Sequence, residues 1–349
     1  MEWTWLDCLE EAGCVGPRTG WLPHHLALFE DDRLVAAAPA YLKGNSEGEF
    51  VFDWSWADLA QRMGVDYYPK LVLAVPFTPA TGDRLLVAPG QDRAEIARVF
   101  TAVAKELARE LPMSSAHVLF PREAETAAWT EAGMLSRAGV QYHWHNAGYS
   151  TWEDFLATFN SKRRHQLKRE AAQPAKDGVV IRTLDPSELT PAVAKEMHAL
   201  YTTTVDKFRW GRRYLNARFF QLVAERWAER LAWVFATKDE RVIASAFNVK
   251  KGDRLYGRYW GAHEELPFLH FNVCYTHGVK QAIAEGLAVF EPGAGGEHKR
   301  ARGFVPTLTH SAHYLKDARF RAIVAPHVAR EAEAIREYIR GEGPDPEGG

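Results

Sequence analysis

The feature that most restricts the fold is a pattern that occurs twice. Residues 26–56 run LALFEDDRLVAAAPAYLKGNSEGEFVFDWSW, and residues 231–262 run LAWVFATKDERVIASAFNVKKGDRLYGRYWGA. Each reads as a strand, a charged turn ending in arginine, a strand rich in small residues, a polar turn and a third strand ending in tryptophan. In the first copy the third strand is GEFVFDW. The copies lie roughly 200 residues apart, and internal duplication is the simplest source of such a repeat. Two unrelated hairpins with charged turns are the plain alternative.

Helical periodicity surrounds both copies. Ile96, Phe100, Val103, Leu107 and Leu111 fall on one face of a helix spanning Gln91 to Leu111. SSAHVLFP, a short helix around Thr126 to Ala132, and GVQYHWHN complete a mixed α/β unit. The second half opens with a helix at Thr151 and the strand DGVVIRTL. Helices follow across Glu188–Phe208, Arg213–Leu231 and Phe271–Glu285, then the strand LAVFE and a helix over Val328–Ile339. A chain of 349 residues suits two domains. The boundaries expected are 1–146, 147–340 and a disordered tail, GEGPDPEGG, at 341–349.

Charge and cysteine content narrow the function. Net charge is −2, so any polyanion must be held by a local patch. Nothing approaches about 18 consecutive apolar residues, so no spanning helix is expected. The N-terminus MEWTWLDCLEEAG carries acids where a signal peptide needs cations. Three cysteines without CxxC spacing fit neither a disulfide framework nor a zinc ribbon, and a cytoplasmic protein is expected.

Two stretches invite chemistry. From Lys162 to Arg169 five of eight residues are Lys or Arg, a density that suits phosphate contact beyond what the helix's own dipole asks for. The second stretch, EPGAGGEHKRARGF, follows a strand. It lacks GxxxxGK[ST] and so is not a P-loop, but Gly293, Gly295 and Gly296 let backbone approach a ligand. Glu297 stands where a buried carboxylate takes a proton from an attacking amine, and a turn with solvated charges is the plain alternative. His143, His145, His298, His310 and His313 lack zinc-enzyme spacing, and no metal is expected. In LYGRYWGA, strand alternation sends Tyr259 and Trp260 to opposite faces. A tyrosine hydroxyl there can protonate a leaving group, and core packing is the alternative.

The segments FNSKRRHQLKREAAQPAKDGVVI, YGRYWGA followed by a helix, and VFEPGAGGEHKRARGF resemble the bacterial Fem-type aminoacyltransferases. Together with DWSWADLAQRMGVDYYPKLVLAVPFTPATGDRLLV they are more similar still to the proteobacterial peptidoglycan biosynthesis/recognition proteins, described as N-acyltransferases. The resemblance runs from about Cys8 to Tyr338. It implies an α/β (α+β) fold of two tandem GNAT-like domains, of the acyl-CoA N-acyltransferase type, with mixed, largely antiparallel sheets. It also implies a donor that is an aminoacyl-tRNA or an acyl thioester such as acyl-CoA. The acyl-CoA loop of ordinary GNAT proteins has no counterpart in GAHEELPFLHFNVCY. Asn272 stands where the closer group often has Glu, and Ala294 where it often has Gln.

The reading that follows is an N-acyltransferase that moves an acyl or aminoacyl group to a primary amine, a cell-wall precursor being the candidate acceptor. Glu297 is the expected base and Tyr259 the expected proton donor. Lys162, Arg163 and Arg164 are expected on phosphates. Trp260 and Gly261 wall the cleft, Gly295 and Gly296 form its lip, and His298, Lys299 and Arg302 hold substrate anions. Asp53, Tyr68 and Lys70 line it from the first domain. No tightly bound cofactor is expected; aminoacyl-tRNA or acyl-CoA is the co-substrate, the acceptor is a small-molecule or peptide-like amine, and tRNA is a candidate donor carrier. The rival is a non-catalytic binder of a cell-wall precursor or another anionic ligand on a decayed transferase fold.

Overall fold

The computed structural model describes residues 1–207 and 212–342, the side chain of Glu297 excepted. Its first elements are α1 (Trp3–Glu11), β1 (Trp21–Pro23), β2 (Leu26–Glu30), β3 (Arg33–Ala38), β4 (Ala40–Lys43), α2 (Trp54–Arg62), β5 (Lys70–Leu73) and β6 (Leu86–Val87). Next come α3 (Arg93–Glu110), β7 (Ser115–Leu119), α4 (Glu123–Glu131), β8 (Leu135–His145), α5 (Trp152–Ala157), α6 (Ser161–Lys176) and β9 (Val180–Thr183). Then follow α7 (Pro191–Val205), α8 (Ala217–Arg226), β10 (Val234–Lys238), β11 (Arg241–Lys251), β12 (Arg254–Ala262) and α9 (Leu269–Phe271). The chain ends with α10 (His277–Ala284), β13 (Val289–Glu291), β14 (Val305–Leu315) and α11 (Ala318–Arg340). Side chains of Asp92, Thr151, Asn160, Thr190, Asn216 and Asp317 each accept a backbone N–H at a helix start, satisfying donors that the first turn leaves free.

The chain packs as two units, one of Met1–Glu2, Val15–Gln141 and Thr307 onward, the other of Trp3–Cys14 and Tyr142–Pro306. In the first, the strand order is β1-β4-β5-β7-β14-β8, beside a separate sheet β2-β3-β6. Pairing is antiparallel at β1–β4, β4–β5 and β7–β14 and parallel at β5–β7. In the second, the order is β8-β13-β12-β11-β10-β9, with β12–β13 parallel and its other pairs antiparallel. A parallel pair needs a crossover, and each unit supplies a helical one: α3 between β5 and β7, and α9 to α10 between β12 and β13. Both units are mixed α/β, each with a mostly antiparallel sheet. Strand β8 contributes up to residue 141 to the first unit and from 142 to the second.

In the first unit Ile96, Phe100 and Ala104 of α3 bury against Leu71, Leu73 and Val118. In the second, Trp144, Phe155, Leu255, Val279, Ile283 and Phe290 share a core. Three expectations change. GEFVFDW is not a strand: α2 begins at Trp54, and Phe50 takes a positive φ of 60° that breaks extended backbone. Helix α11 starts at Ala318, ten residues earlier than read (328 − 318), because Pro326 lies inside it rather than before it. The helix read over Arg213–Leu231 is α8 followed by a single 3₁₀ turn, Ala228–Arg230. Phe208 and the tail from residue 343 lie outside the described residues.

The tripeptide Ser-Ala-His occurs on β7 (Ser115–His117) and again on β14 (Ser311–His313), and the strand register sets His313 opposite His117. Their Nδ1 atoms stand 2.6 Å apart, and each Nε2 is 2.8 Å from the serine hydroxyl of its own tripeptide. Burial, aided in His117 by Lys70 and in His313 by His117 itself, holds both imidazoles well below their ordinary pKa. The folded pair is therefore neutral, whereas unfolded histidines take up protons below about pH 6.5. Stability is held above that pH and falls as pH drops below it, because the unfolded state binds more protons. His313→Gln removes one titrating group while leaving an amide for His117. The urea-unfolding free energy of this variant should fall less steeply from pH 6.5 to 5, by about 1 kcal/mol per pH unit relative to wild type.

Candidate active site

Strands β12 and β13 run side by side over Arg254–Tyr256 and Val289–Glu291. Beyond that point β12 continues to Ala262, while the other branch turns at Pro292 into the glycine loop. The prongs stay close at the start, where a Cβ on Gly257 would lie 3.1 Å from the Pro292 Cα. Past the fork β12 pairs with β11 and no longer with β13.

The loop leads into a 3₁₀ helix, Glu297–Arg302. Gly296 is confined to glycine, since its φ is +93° and a Cβ would stand 2.6 Å from the His298 ring. Lys299, only 2% exposed, donates to the carbonyls of Gly293 at 2.7 Å and Ala294 at 3.2 Å, and burial pushes its pKa down to about 8. It therefore braces the loop from beneath. Arg302 donates to Glu170 Oε2 at 2.9 Å and lies 3.5 Å over the Phe271 ring. His298 is exposed, with Nε2 3.0 Å from the Tyr275 hydroxyl; burial, then Lys299 and Arg302, lower its pKa. The backbone of Glu297 begins the 3₁₀ helix, and its side chain lies outside the described residues.

Helix α6 packs against this segment. Arg163 donates from Nε to the Ala301 carbonyl at 2.6 Å, and from Nη2 to the same oxygen. Arg164 donates to the Phe159 carbonyl at 3.2 Å, with its Nε buried and unpartnered. Lys162 is exposed and forms no ion pair among the described residues, and the same holds for Lys168 and Arg169. Lys162, His165 and Arg169 fall at i, i+3 and i+7, so they share the outer face of α6.

The alternation on β12 holds. Tyr259 turns to α7, its ring 4.9 Å from Tyr201 at an interplanar angle of 81°, and burial raises its pKa. Trp260 faces the other way, onto His270 at 5.0 Å. The geometry thus groups Trp260, His298, Lys299 and Arg302, and leaves Tyr259 in an aromatic core on the opposite face. Gly261 answers to packing, for a Cβ there would fall 1.8 Å from the Leu200 carbonyl oxygen of α7. Asp53, Tyr68 and Lys70 belong to the first unit. Lys70, with no exposed surface, donates to Ser46 Oγ and Glu49 Oε2 at 2.9 Å and to Asp53 Oδ2 at 2.5 Å, and the Tyr68 hydroxyl meets Ser46 at 2.7 Å. Burial opposes the charge on Lys70, and Glu49 and Asp53 together overcome it.

Three residues of the site escaped the sequence reading: Glu170, His270 and Tyr275. Glu170 is the first acid after the cation run, and that position was its one visible signal. His270 and Tyr275 are brought together (ring centroids 5.4 Å) around a π-turn, Asn272–Thr276, for which sequence periodicity gives no warning. The two kinds of glycine predict different outcomes. Gly261→Ala drives a methyl into the α7 backbone and should lower stability by more than about 4 kcal/mol or prevent folding. Gly295→Ala has open space around it but a φ of +68°, so it should cost about 1–2 kcal/mol. Thermal unfolding of both variants measures the contrast.

No curated protein matches the chain in sequence. Among solved structures it is similar to L-PGS from Bacillus licheniformis, with a TM-score of 0.55 and 10% identity, covering 94% of this chain and 95% of that one. It is similar to the C-terminal domain of a putative lysylphosphatidylglycerol synthetase from Agrobacterium fabrum, with a TM-score of 0.57, 12% identity and coverage of 93% and 96%. FemX follows with a TM-score of 0.53, 12% identity and 93% coverage of each chain. At such identities the likeness is one of fold. The FemAB-like profile, described as peptidoglycan biosynthesis/recognition, matches residues 1–343, and the chain belongs to that family.

Proposed function

We propose that this protein is an N-acyltransferase that moves an aminoacyl or acyl group from an activated ester or thioester to a primary amine, with a cell-wall precursor as acceptor. The observation that carries the reading is the fork between β12 and β13, beside which Trp260, His298, Lys299 and Arg302 converge. Membership of a family described by peptidoglycan biosynthesis/recognition supports the acceptor class. The fold shared with FemX and with lysylphosphatidylglycerol synthetases supports aminoacyl-tRNA as donor, with acyl-CoA the second choice. The unengaged cations Lys162, Lys168 and Arg169 are the contacts for donor phosphates. Lys299 and Arg302 act indirectly, by holding the loop in shape and keeping the site positive. No covalent intermediate is needed, since orienting two substrates supplies much of the acceleration. Burial raises the pKa of Cys274 far above the thiolate range, so it is no nucleophile. Among the described residues no helix is long and apolar enough to cross a membrane, and the reading places the reaction in the cytoplasm, where the donors are charged.

Purified protein incubated with charged tRNA or acyl-CoA and a muramyl-peptide amine should give an amide detectable by mass spectrometry. Absence of product with every donor would leave the binding-protein reading in its place. If the donor is tRNA, Lys162→Glu/Arg169→Glu should raise its KM by roughly tenfold or more at constant kcat, with a weaker salt dependence.

A further inference from the structure

Among the described side chains at the fork, His270 is a titratable group that the protein itself does not engage. Its half-buried ring lies 5.0 Å from Trp260, 5.4 Å from Phe271 and Tyr275, and 6.4 Å from His298. Among the described residues neither of its ring nitrogens has a hydrogen-bond partner. Its neighbours are all committed: His298 to Tyr275, Lys299 to the loop carbonyls, Arg302 to Glu170. The backbone around it is unusual on both sides. Phe268, two residues before, has a φ of +62°, which an aromatic side chain rarely adopts, and the π-turn begins two residues after. Such departures persist where the surroundings hold them, and they recur at functional positions.

Resting on the acyl-transfer reading, we propose that His270 is the base of this site: it accepts the proton that the primary amine sheds as its nitrogen bonds to the donor's carbonyl carbon. The nitrogen–carbon bond forms, and the carbon–oxygen or carbon–sulfur bond to the donor's carrier breaks. The proton passes from nitrogen to His270 and on to the departing alkoxide or thiolate, so the imidazole ends as it began. Trp260 and Tyr275 fix the plane of the ring. Burial, then His298, Arg302 and Lys299, hold the imidazole down to about 4, so it is neutral and ready at physiological pH. An ammonium bound in the same place meets the same burial and the same cations. Its pKa falls in step, and the transfer stays as balanced as in water. Among the described side chains, Glu170 is paired with Arg302 at 2.9 Å.

The test is steady-state kinetics of His270→Ala and His270→Gln at equal folded fraction by circular dichroism, with the donor and amine that the wild type uses. Both variants should lose about 100-fold or more in kcat with donor KM within about threefold. Added imidazole should restore part of the activity of His270→Ala and none of that of His270→Gln, whose side chain fills the space. The defect should shrink with a weakly basic acceptor such as trifluoroethylamine, which needs less help to shed its proton. A kcat within threefold of wild type, or a loss confined to KM with no imidazole rescue, would overturn the role of His270 and leave acyl transfer standing. If the wild type transfers no acyl group at all, acyl transfer falls and the role of His270 falls with it.

Discussion

Glu170, only 5% exposed, accepts from Gln166 Nε2 at 2.8 Å and from Arg302 Nη2 at 2.9 Å, while its own carbonyl takes the Asn272 amide at 2.9 Å. A carboxylate so placed is tolerable only when paired, and removing its cation would leave a buried charge, a loss of about 3–5 kcal/mol. Arg302 is therefore drawn inward and sits 3.5 Å over the Phe271 ring, which fixes the end of the 3₁₀ helix against α9. Arg163 makes a second tie by closing on the Ala301 carbonyl. With that helix held at its C-terminal end and Lys299 bracing the loop at its start, the glycine loop has little freedom of its own. The positions of His298 and of the fork's outer prong follow from this one buried pair.

The same geometry sorts the cations of a chain whose net charge is only −2. Arg163, Arg302 and Lys299 are engaged with protein carbonyls or with Glu170, so their charge acts at a distance and through the shape they maintain. Lys162, Lys168 and Arg169 remain in water on α6, where ion pairing to a polyanion displaces counterions rather than protein contacts. A local positive field thus exists beside the fork although the molecule has no global one. Its effect on ionisation is direct, since His270 and His298 are lowered by cations as well as by burial.

How much of this was legible depends on periodicity. The second hairpin copy reads correctly as β10, β11 and β12, and α3 as an amphipathic helix, because apolar residues at intervals of two or 3.6 have one structural meaning. GEFVFDW alternates like a strand yet is none: Phe52 is 63% exposed and Asp53 is buried to pair with Lys70, the reverse of what alternation implies. Tertiary demand for a carboxylate beside Lys70 overrode the local pattern. At the site, the cation run and the glycine loop were visible by composition, whereas their division into engaged and free groups depends on Glu170, which sequence shows only as an acid after a basic run. His270 and Tyr275 are five residues apart, a spacing that an α-helix separates and a π-turn brings together.

The π-turn also gives Asn272 a physical meaning. The Asn272 side-chain amide donates at 2.9 Å to the Phe268 carbonyl, which also takes the Asn272 backbone N–H, and at 2.9 Å to the Glu170 carbonyl of α6, which Pro174 four residues on has no N–H to serve. A carboxylate at this position would face two carbonyl oxygens and could not donate unless protonated. The neutral amide thus links the left-handed Phe268, the π-turn and α6 without adding a negative charge beside Glu170. A second acid there would compete with Glu170 for Arg302 and raise the pKa of His270, drawing protons onto the imidazole. Asn272 therefore keeps the field at the fork positive and the ring of His270 neutral, although its own side chain touches neither.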